Sequence, residues 1–219
     1  KDHTSFYLKE LAKHYHYIPA PSHENFDATR VRDCLFSLRT VFDKSVSPCV
    51  EDFLNQWMTT TAYSTLQKEW WANREQKAPY TNLPFPPVFV TVDALVTVMN
   101  HVLLIKRKYA PGKDLWALPG GFLEQNETIE QGIVRELKEE TGLHGVPTSA
   151  IRVFDNPGRS LRGRTITHVG HVKWPEPGPG PIKAADDASE ARFWHLGEIE
   201  NMRDKMFEDH WHIIQEMTK

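Results

Sequence analysis

The chain is 219 residues long, 40% hydrophobic and 25% charged, with a formal net charge of −3. That length and apolar content suit one or two soluble domains with a real core, and a near-neutral balance without a basic block excludes bulk nucleic-acid binding. No apolar run is long enough to span a membrane and no signal peptide is evident, so a membrane partner is not expected.

Cys34 and Cys49 form neither a metal spacing nor a disulfide framework and read as reduced thiols of a cytoplasmic protein. The chain opens Lys1-Asp2-His3 rather than with Met, which points to a fragment or a processed chain. In the first 45 residues, FDATRVRDCLF (Phe26 to Phe36) reads as a turn entering a helix, with Thr29 as N-cap hydroxyl and Arg32 one turn inside. Backbone N–H groups, a hydroxyl and an arginine at a helix start can hold a phosphate, although an ordinary capped helix has the same residues. The segment resembles the C-terminal S-S-T-x-I-R motif of nicotinamide-mononucleotide (NMN) adenylyltransferases, with Thr29, Val31 and Arg32 aligned and Asp27 where the first Ser stands. The opening KDHTSFYL is similar to that family's K-D-x-S-x-Y-Y-L stretch through Lys1, Asp2, Ser5, Tyr7 and Leu8, while its H-x-G-H nucleotide motif is absent from these 219 residues. The resemblance implies that residues 1–58 are the helical remnant of a Rossmann-like nucleotidyltransferase domain, with Thr29 and Arg32 as phosphate-binding residues.

Residues 48–78 read as helical. Val50, Phe53, Leu54 and Trp57 give one apolar stripe, and Tyr63, Leu66, Trp70 and Trp71 another, both expected in a core or a domain interface. Prolines at 79, 84, 86 and 87 then break the chain, so 59–85 is assigned as a helical linker and 86–219 as the second domain. Val88 to Val98 is a β-branched strand, with a hairpin turn at Asn100-His101 and a partner strand over Val102 to Ile105. Trp116 reads first as a packing residue and second as a wall of a nucleoside pocket.

Gly121 to Leu143 carries the chemistry. Thr128 to Thr141 contains no helix breaker except one glycine, and Gly142 suits a C-cap. Glu136, Glu139 and Glu140 then share one helix face, while Ile133 and Leu137 form a stripe for the core. Clustered carboxylates raise one another's pKa unless a cation neutralises them, and hard oxygen donors favour Mg²⁺, with Mn²⁺ as the alternative. A solvated acidic face is the ordinary reading of such a run, but the glycines and Arg135 also fall at fixed spacings. The pattern G-x5-E-x7-R-E-U-x-E-E-x-G-U, with U aliphatic, is matched at every defined position by Gly121, Glu127, Arg135, Glu136, Leu137, Glu139, Glu140, Gly142 and Leu143. It is identified as the signature of the Nudix hydrolases. That resemblance implies a Nudix α/β/α sandwich and metal held by Glu136, Glu139, Glu140 and the Gly120 carbonyl. Arg135 is expected to pair with a carboxylate, Glu127 being the candidate.

Beyond the box, Ile151 to Asp155 and Thr165 to Val172 read as strands flanking a Gly-rich loop with Arg159, Arg162 and Arg164. Three loop arginines can grip pyrophosphate oxygens bidentately. The loop PGRSLRGRTITH resembles that of bifunctional adenylyltransferase/ADP-ribose pyrophosphatases, with Gly170 where an aromatic is expected. The stretch from Ala184 to Trp194 is similar to the D-D-A-x-E-A-x-W motif of ADP-ribose-cleaving members, which makes Asp186, Asp187 and Glu190 candidate bases beside Glu139. Phe207 to Met217 reads as a terminal amphipathic helix. The resemblance implies Mg²⁺-dependent hydrolysis of ADP-ribose in NAD metabolism, and a homodimer as in related enzymes. An ADP-ribose-sensing module without turnover, or hydrolysis of another nucleoside diphosphate derivative, is the alternative.

Overall fold

The computed structural model describes residues 28–37 and 47–219, and the chain divides into two compact units, Lys1–Thr60 and Thr61–Lys219. The Lys1-Asp2…Leu8 match and Asp27 lie outside the described residues. In the first unit, α1 (Ala28–Phe36) and α2 (Pro48–Trp57) are joined by an edge-on contact of Phe36 and Trp57, with ring centroids 6.3 Å apart. Thr29 lies within the first turn of α1 instead of capping it, and its Oγ1 accepts a 3.3 Å bond from Arg32 Nη2. The apolar stripe of α2 contains no buried residue, with Phe53 63% exposed. Among the described residues of this unit there are two helices and no strand.

The second unit begins with α3 (Thr61–Lys77); of its apolar stripe Tyr63 is buried and Trp70 partly buried, while Leu66 and Trp71 face solvent. A 3₁₀ turn over Ala78–Tyr80 leads to a seven-stranded mixed sheet. Its strands are β1 (Phe89–Val98), β2 (His101–Arg107), β3 (Trp116–Ala117), β4 (Gly120–Phe122), β5 (Ala150–Phe154), β6 (Thr165–Lys173) and β7 (Ala188–His195). β1 runs parallel to β6 along nine residues, from Phe89↔Thr165 to Thr97↔Lys173. Its other edge is divided: Thr97 and Val98 pair with β2, whereas Thr91, Val92 and Asp93 pair with β4. This divided edge brings Gly120-Gly121 against the middle of the sheet. The β1–β2 turn is Met99-Asn100, one residue earlier than expected, because Val98 pairs directly with His101.

Helices cover both faces, giving the α/β/α arrangement. On one face α4 (Ile129–Thr141) buries Ile133 and Leu137 against Val92, Ala94, Val96 and Leu103. On the other, α5 (Leu196–Ile199) and α6 (His210–Met217) bury Ile199, Ile213 and Ile214 against Leu95, Val102, Leu104 and Val169. The period-2 alternation of β1 is what sends Leu95 to one layer and its neighbours to the other. α4 starts at a reciprocal capping box, Thr128 Oγ1 accepting from the Gln131 N–H and Gln131 Oε1 from the Thr128 N–H, and ends on Gly142 at φ +75°. α6 starts at His210 rather than Phe207, because the Phe207 N–H bonds the Trp116 carbonyl at 2.8 Å and pins that residue to β3.

Candidate active site

With its apolar stripe buried, α4 turns its carboxylates toward the edge where β4 leaves β1. Arg135 stands at their centre. Its Nε and Nη2 donate to both oxygens of Glu127 at 2.9 and 2.7 Å, and its Nη1 donates to Glu136 Oε1 at 2.8 Å and Glu139 Oε2 at 2.9 Å. Nη2 also reaches the Phe122 carbonyl at 3.1 Å, tying the helix to β4. The bidentate partner is Glu127, as expected, and Arg135 holds that carboxyl below the usual carboxylate range.

Glu140 lies deeper, only 4% exposed, with Oε2 accepting from the Gly120 N–H at 2.9 Å. Burial, reinforced by the charges of Glu136 and Asp93, pushes its carboxyl up to about 8. Burial raises Glu136 too, partly offset by Arg135. The glycine pair has a steric reason. A Cβ on Gly120 would stand 2.3 Å from the Val92 carbonyl oxygen, and one on Gly121 would stand 2.5 Å from Glu136 Oε1. Gly121→Ala is therefore expected to displace the Glu136 carboxylate while moving the melting temperature little, since the clash is with the end of a flexible side chain. A fall in kcat of tenfold or more with an unchanged melt supports this, and full activity would refute it.

The donor set fits a hard divalent cation: it offers carboxylates only, two of them raised by burial and mutual repulsion that a cation would relieve. Among the described residues no three such groups converge in cation geometry as they stand, and two of them are drawn to Arg135. The Glu139 side chain is 46% exposed, so releasing it from Arg135 requires only a surface rotation.

Across from α4 is a cleft lined by Asp93, Arg107, Gly120, Gly121, Arg159, Arg162, Phe207 and His210. Of the three loop arginines, Arg159 and Arg162 line it. Arg159 is bidentate to Asp209 at 2.8 and 3.0 Å, and Arg162 bonds Glu208 at 3.3 Å. Arg164 does not line the cleft, because its Nη1 is held by the Asp155 carbonyl at 2.5 Å. Trp116 is 7% exposed inside the core with Leu95 and Leu104, so its aromatic face is a packing surface and not a pocket wall. Gly170 has no room for an aromatic: a Cβ there would meet Ile133 of α4 at 2.6 Å. In the acidic loop, the Asp187 carbonyl accepts from the Lys108 N–H and the Ala185 N–H donates to the Glu140 carbonyl, which brings the loop to the end of α4. Glu190 is exposed on β7, opposite Lys106 and 3.9 Å from Arg192. Thr29 and Arg32 belong to the other unit.

Four residues of the cleft have no counterpart in the sequence reading: Asp93, Arg107, Phe207 and His210. Asp93 had a signal, a lone carboxylate inside the apolar run of β1. It is 5% exposed and accepts from the Thr167 hydroxyl. His210 Nδ1 accepts from the Leu118 N–H at 3.0 Å, so the ring is neutral with its proton on Nε2. Burial lowers its pKa, partly countered by Asp93, Asp209 and Glu208. Below the ordinary histidine value near 6.5, the unfolded chain binds a proton that the folded one refuses, so stability falls as the pH drops from about 7 toward 5.5. His210→Gln should flatten that part of the melting profile relative to wild type. An unchanged slope would remove His210 from this role.

The carboxylate helix thus packs on a mixed sheet beside a Gly-Gly edge and an arginine-lined cleft. The NUDIX domain profile matches residues 87–217, and the chain belongs to that family. Among relatives, it is 42% identical over 130 residues to an ADP-ribose pyrophosphatase of Methanocaldococcus jannaschii, covering 59% of this chain and 73% of that protein. It is similar to the crystal structure of a bifunctional NMN adenylyltransferase/ADP ribose pyrophosphatase from Francisella tularensis complexed with AMP and a Mn ion. There the TM-score is 0.83 at 41% identity, covering 98% of this chain and 66% of that one. The NUDIX domain of Shewanella oneidensis NrtR complexed with ADP ribose matches at TM-score 0.53 and 26% identity, over 66% of this chain and 96% of that one. No helix of the described residues is long and apolar enough to cross a membrane.

Proposed function

We propose that the Thr61–Lys219 unit hydrolyses the pyrophosphate of ADP-ribose to AMP and ribose 5-phosphate. The observation that carries it is the placing of Glu136 and Glu139 on Arg135 and of Glu140 on the Gly120 N–H, with Gly120 lining a cleft that also holds Arg107, Arg159 and Arg162. The 42% identity to an ADP-ribose pyrophosphatase supports the choice of substrate. Glu136, Glu139, Glu140 and the Gly120 carbonyl are the groups that would hold Mg²⁺, or Mn²⁺ in its place. When bound, such a cation supplies neutralisation of phosphate charge and a more acidic water.

In this reading Arg135 orients the carboxylates, and the Gly120 N–H steadies the ionised form of Glu140. Arg159 and Arg162 engage phosphate or ribose-phosphate oxygens on release from Asp209 and Glu208. Glu139, half exposed on α4, is the first candidate for the base that takes the proton of the attacking water, with Asp187 of the loop at the end of α4 as second. Glu190 is a weaker candidate, being opposite Lys106 on β7. Residues 1–58 are read as the tail of an NMN adenylyltransferase domain with Thr29 and Arg32 as its phosphate contacts, 59–85 as linker, and the parent as a cytoplasmic enzyme of NAD metabolism acting as a homodimer.

A second reading, ADP-ribose sensing without turnover, is favoured by two observations. Arg135 engages Glu136 and Glu139, and the chain is 33% identical over 96 residues to an ADPR responsive transcriptional repressor of Acinetobacter baylyi. Measuring AMP release from ADP-ribose with and without Mg²⁺ decides between them. Metal-dependent AMP formation supports the hydrolase, and saturable binding without AMP formation supports the sensor.

A further inference from the structure

The arginines of the cleft are not held alike. Arg159 is tied to Asp209 and Arg162 to Glu208, whereas Arg107 has no carboxylate partner among the described residues. Its Nε donates to the Pro111 carbonyl at 3.0 Å, and among the described residues nothing bonds its two Nη groups. The guanidinium lies 4.1 Å over the Phe207 ring, which gives it a shelf on one face. Burial, and then the charge of Arg162, hold its pKa below the ordinary arginine value, a cost that an anion in the cleft would relieve. Arg107 is therefore the cleft cation that needs no release before it meets a phosphate.

What places Arg107 is the loop that follows it. The Arg107 N–H bonds the Leu115 carbonyl and the Arg107 carbonyl accepts from the Asp114 N–H, both at 2.9 Å, so the loop closes on itself. At its tip Pro111 and Gly112 are buried; Gly112 has φ +79°, and a Cβ there would run into the Phe207 ring. The Gly112 N–H is held from outside the loop, by Glu69 Oε2 at 2.7 Å. Glu69 stands 43 residues earlier on α3, which precedes the 87–217 match. A buried backbone donor left without an acceptor is costly, so this carboxylate fixes where the loop tip can rest. The charges that act most on Arg107 are those of Arg162, Glu140, Glu208 and Asp187, so Glu69 works through the loop backbone.

We propose that Glu69 is a positioning residue of the hydrolase: through Gly112 and Pro111 it sets Arg107 in the cleft as the resident clamp for the substrate's diphosphate. The inference deepens the reading of this cleft as the ADP-ribose site and rests on it. It gives a helix outside the family match a share in substrate affinity and none in bond breaking.

Steady-state hydrolysis of ADP-ribose by the full chain with Mg²⁺ tests it. Glu69→Ala should raise KM about tenfold and hold kcat within about twofold, the pattern of a contact made equally in ground and transition states. Glu69→Gln keeps an oxygen for the Gly112 N–H and should keep the wild-type KM. In an Arg107→Ala background Glu69→Ala should add nothing to KM, a non-additivity that a merely structural role would not give. Glu69→Asp, a methylene short of the bond, carries the same comparisons if Glu69→Ala does not fold. An unchanged KM on losing the bond, an undiminished effect without Arg107, or an equal loss in Glu69→Gln would overturn the proposal. If wild type fails to hydrolyse ADP-ribose, that result counts against the substrate reading alone. Titration of inorganic pyrophosphate then decides: binding about tenfold weaker in Glu69→Ala supports the positioning role, and equal binding, or none by either protein, overturns it.

Discussion

Glu140→Gln is expected to lower the turnover of ADP-ribose by a factor of about 10²–10³ or more while leaving the fold intact, consistent with the loss of one essential charge-stabilising group. The amide retains an oxygen for the Gly120 N–H, now 2.9 Å from Oε2, so the link between α4 and β4 survives. What is lost is the anion. Glu140 is pushed up to about 8 because it is desolvated and shares its surroundings with Glu136 and Asp93. In metal-free protein a raised pKa stabilises the fold most fully below the carboxyl's unfolded value near 4.3. That stability is lost as the pH climbs through about 8. The variant, uncharged at every pH, should therefore melt higher than wild type at pH 8 without metal, and the gap should close toward pH 5. Added Mg²⁺ should raise the wild-type melting temperature more at pH 8 than at pH 6, and should do so much less in the variant. Wild-type turnover in Glu140→Gln would sink the metal-site assignment.

The largest stability effect is expected at Arg135. Arg135→Ala strips three carboxylates of their partner at once, and two of these, Glu127 and Glu136, have side chains only 11% and 13% exposed. Removing one member of a part-buried ion pair costs about 1–3 kcal/mol, because the remaining carboxylates are partly desolvated and lose their hydrogen-bond donor. Denaturant unfolding should show a loss of that order, with activity falling alongside. Arg135→Lys keeps the charge but cannot form the fork that engages both oxygens of Glu127, so it should recover part of the stability and little of the alignment. Glu127→Gln provides the check from the other side. If Arg135→Ala melts like wild type, the cluster is not held together by this guanidinium.

The box was legible because its geometry is local. Thr128, Gln131 and Gly142 cap α4 through bonds that span at most four residues, and the 3.6-residue period puts Ile133 and Leu137 on one stripe with Glu136 and Glu140 along its border. The Arg135–Glu127 pair lies within eight residues, and the resemblance to the box had made Glu127 the candidate. The stripe of α2, with no buried residue, and that of α3, half exposed, show the reverse: an apolar period says which residues share a face, not whether anything covers it. Trp116 illustrates the same limit, since its burial depends on core residues from β1 and β2.

The sequence by itself determined the carboxylate helix and its caps, because these depend on contacts between near neighbours, and its fixed spacings carried the resemblance to the family. Only the tertiary structure decided which charges meet across the cleft. Asp209 and Glu208 claim Arg159 and Arg162 from 50 and 46 residues away, and Thr167 reaches Asp93 from 74. Only the tertiary structure, too, brought Tyr80 beside Phe89 and Phe122 while burying Trp116. Those choices follow from strand register and helix placement, long-range pairings that no local spacing in the chain encodes.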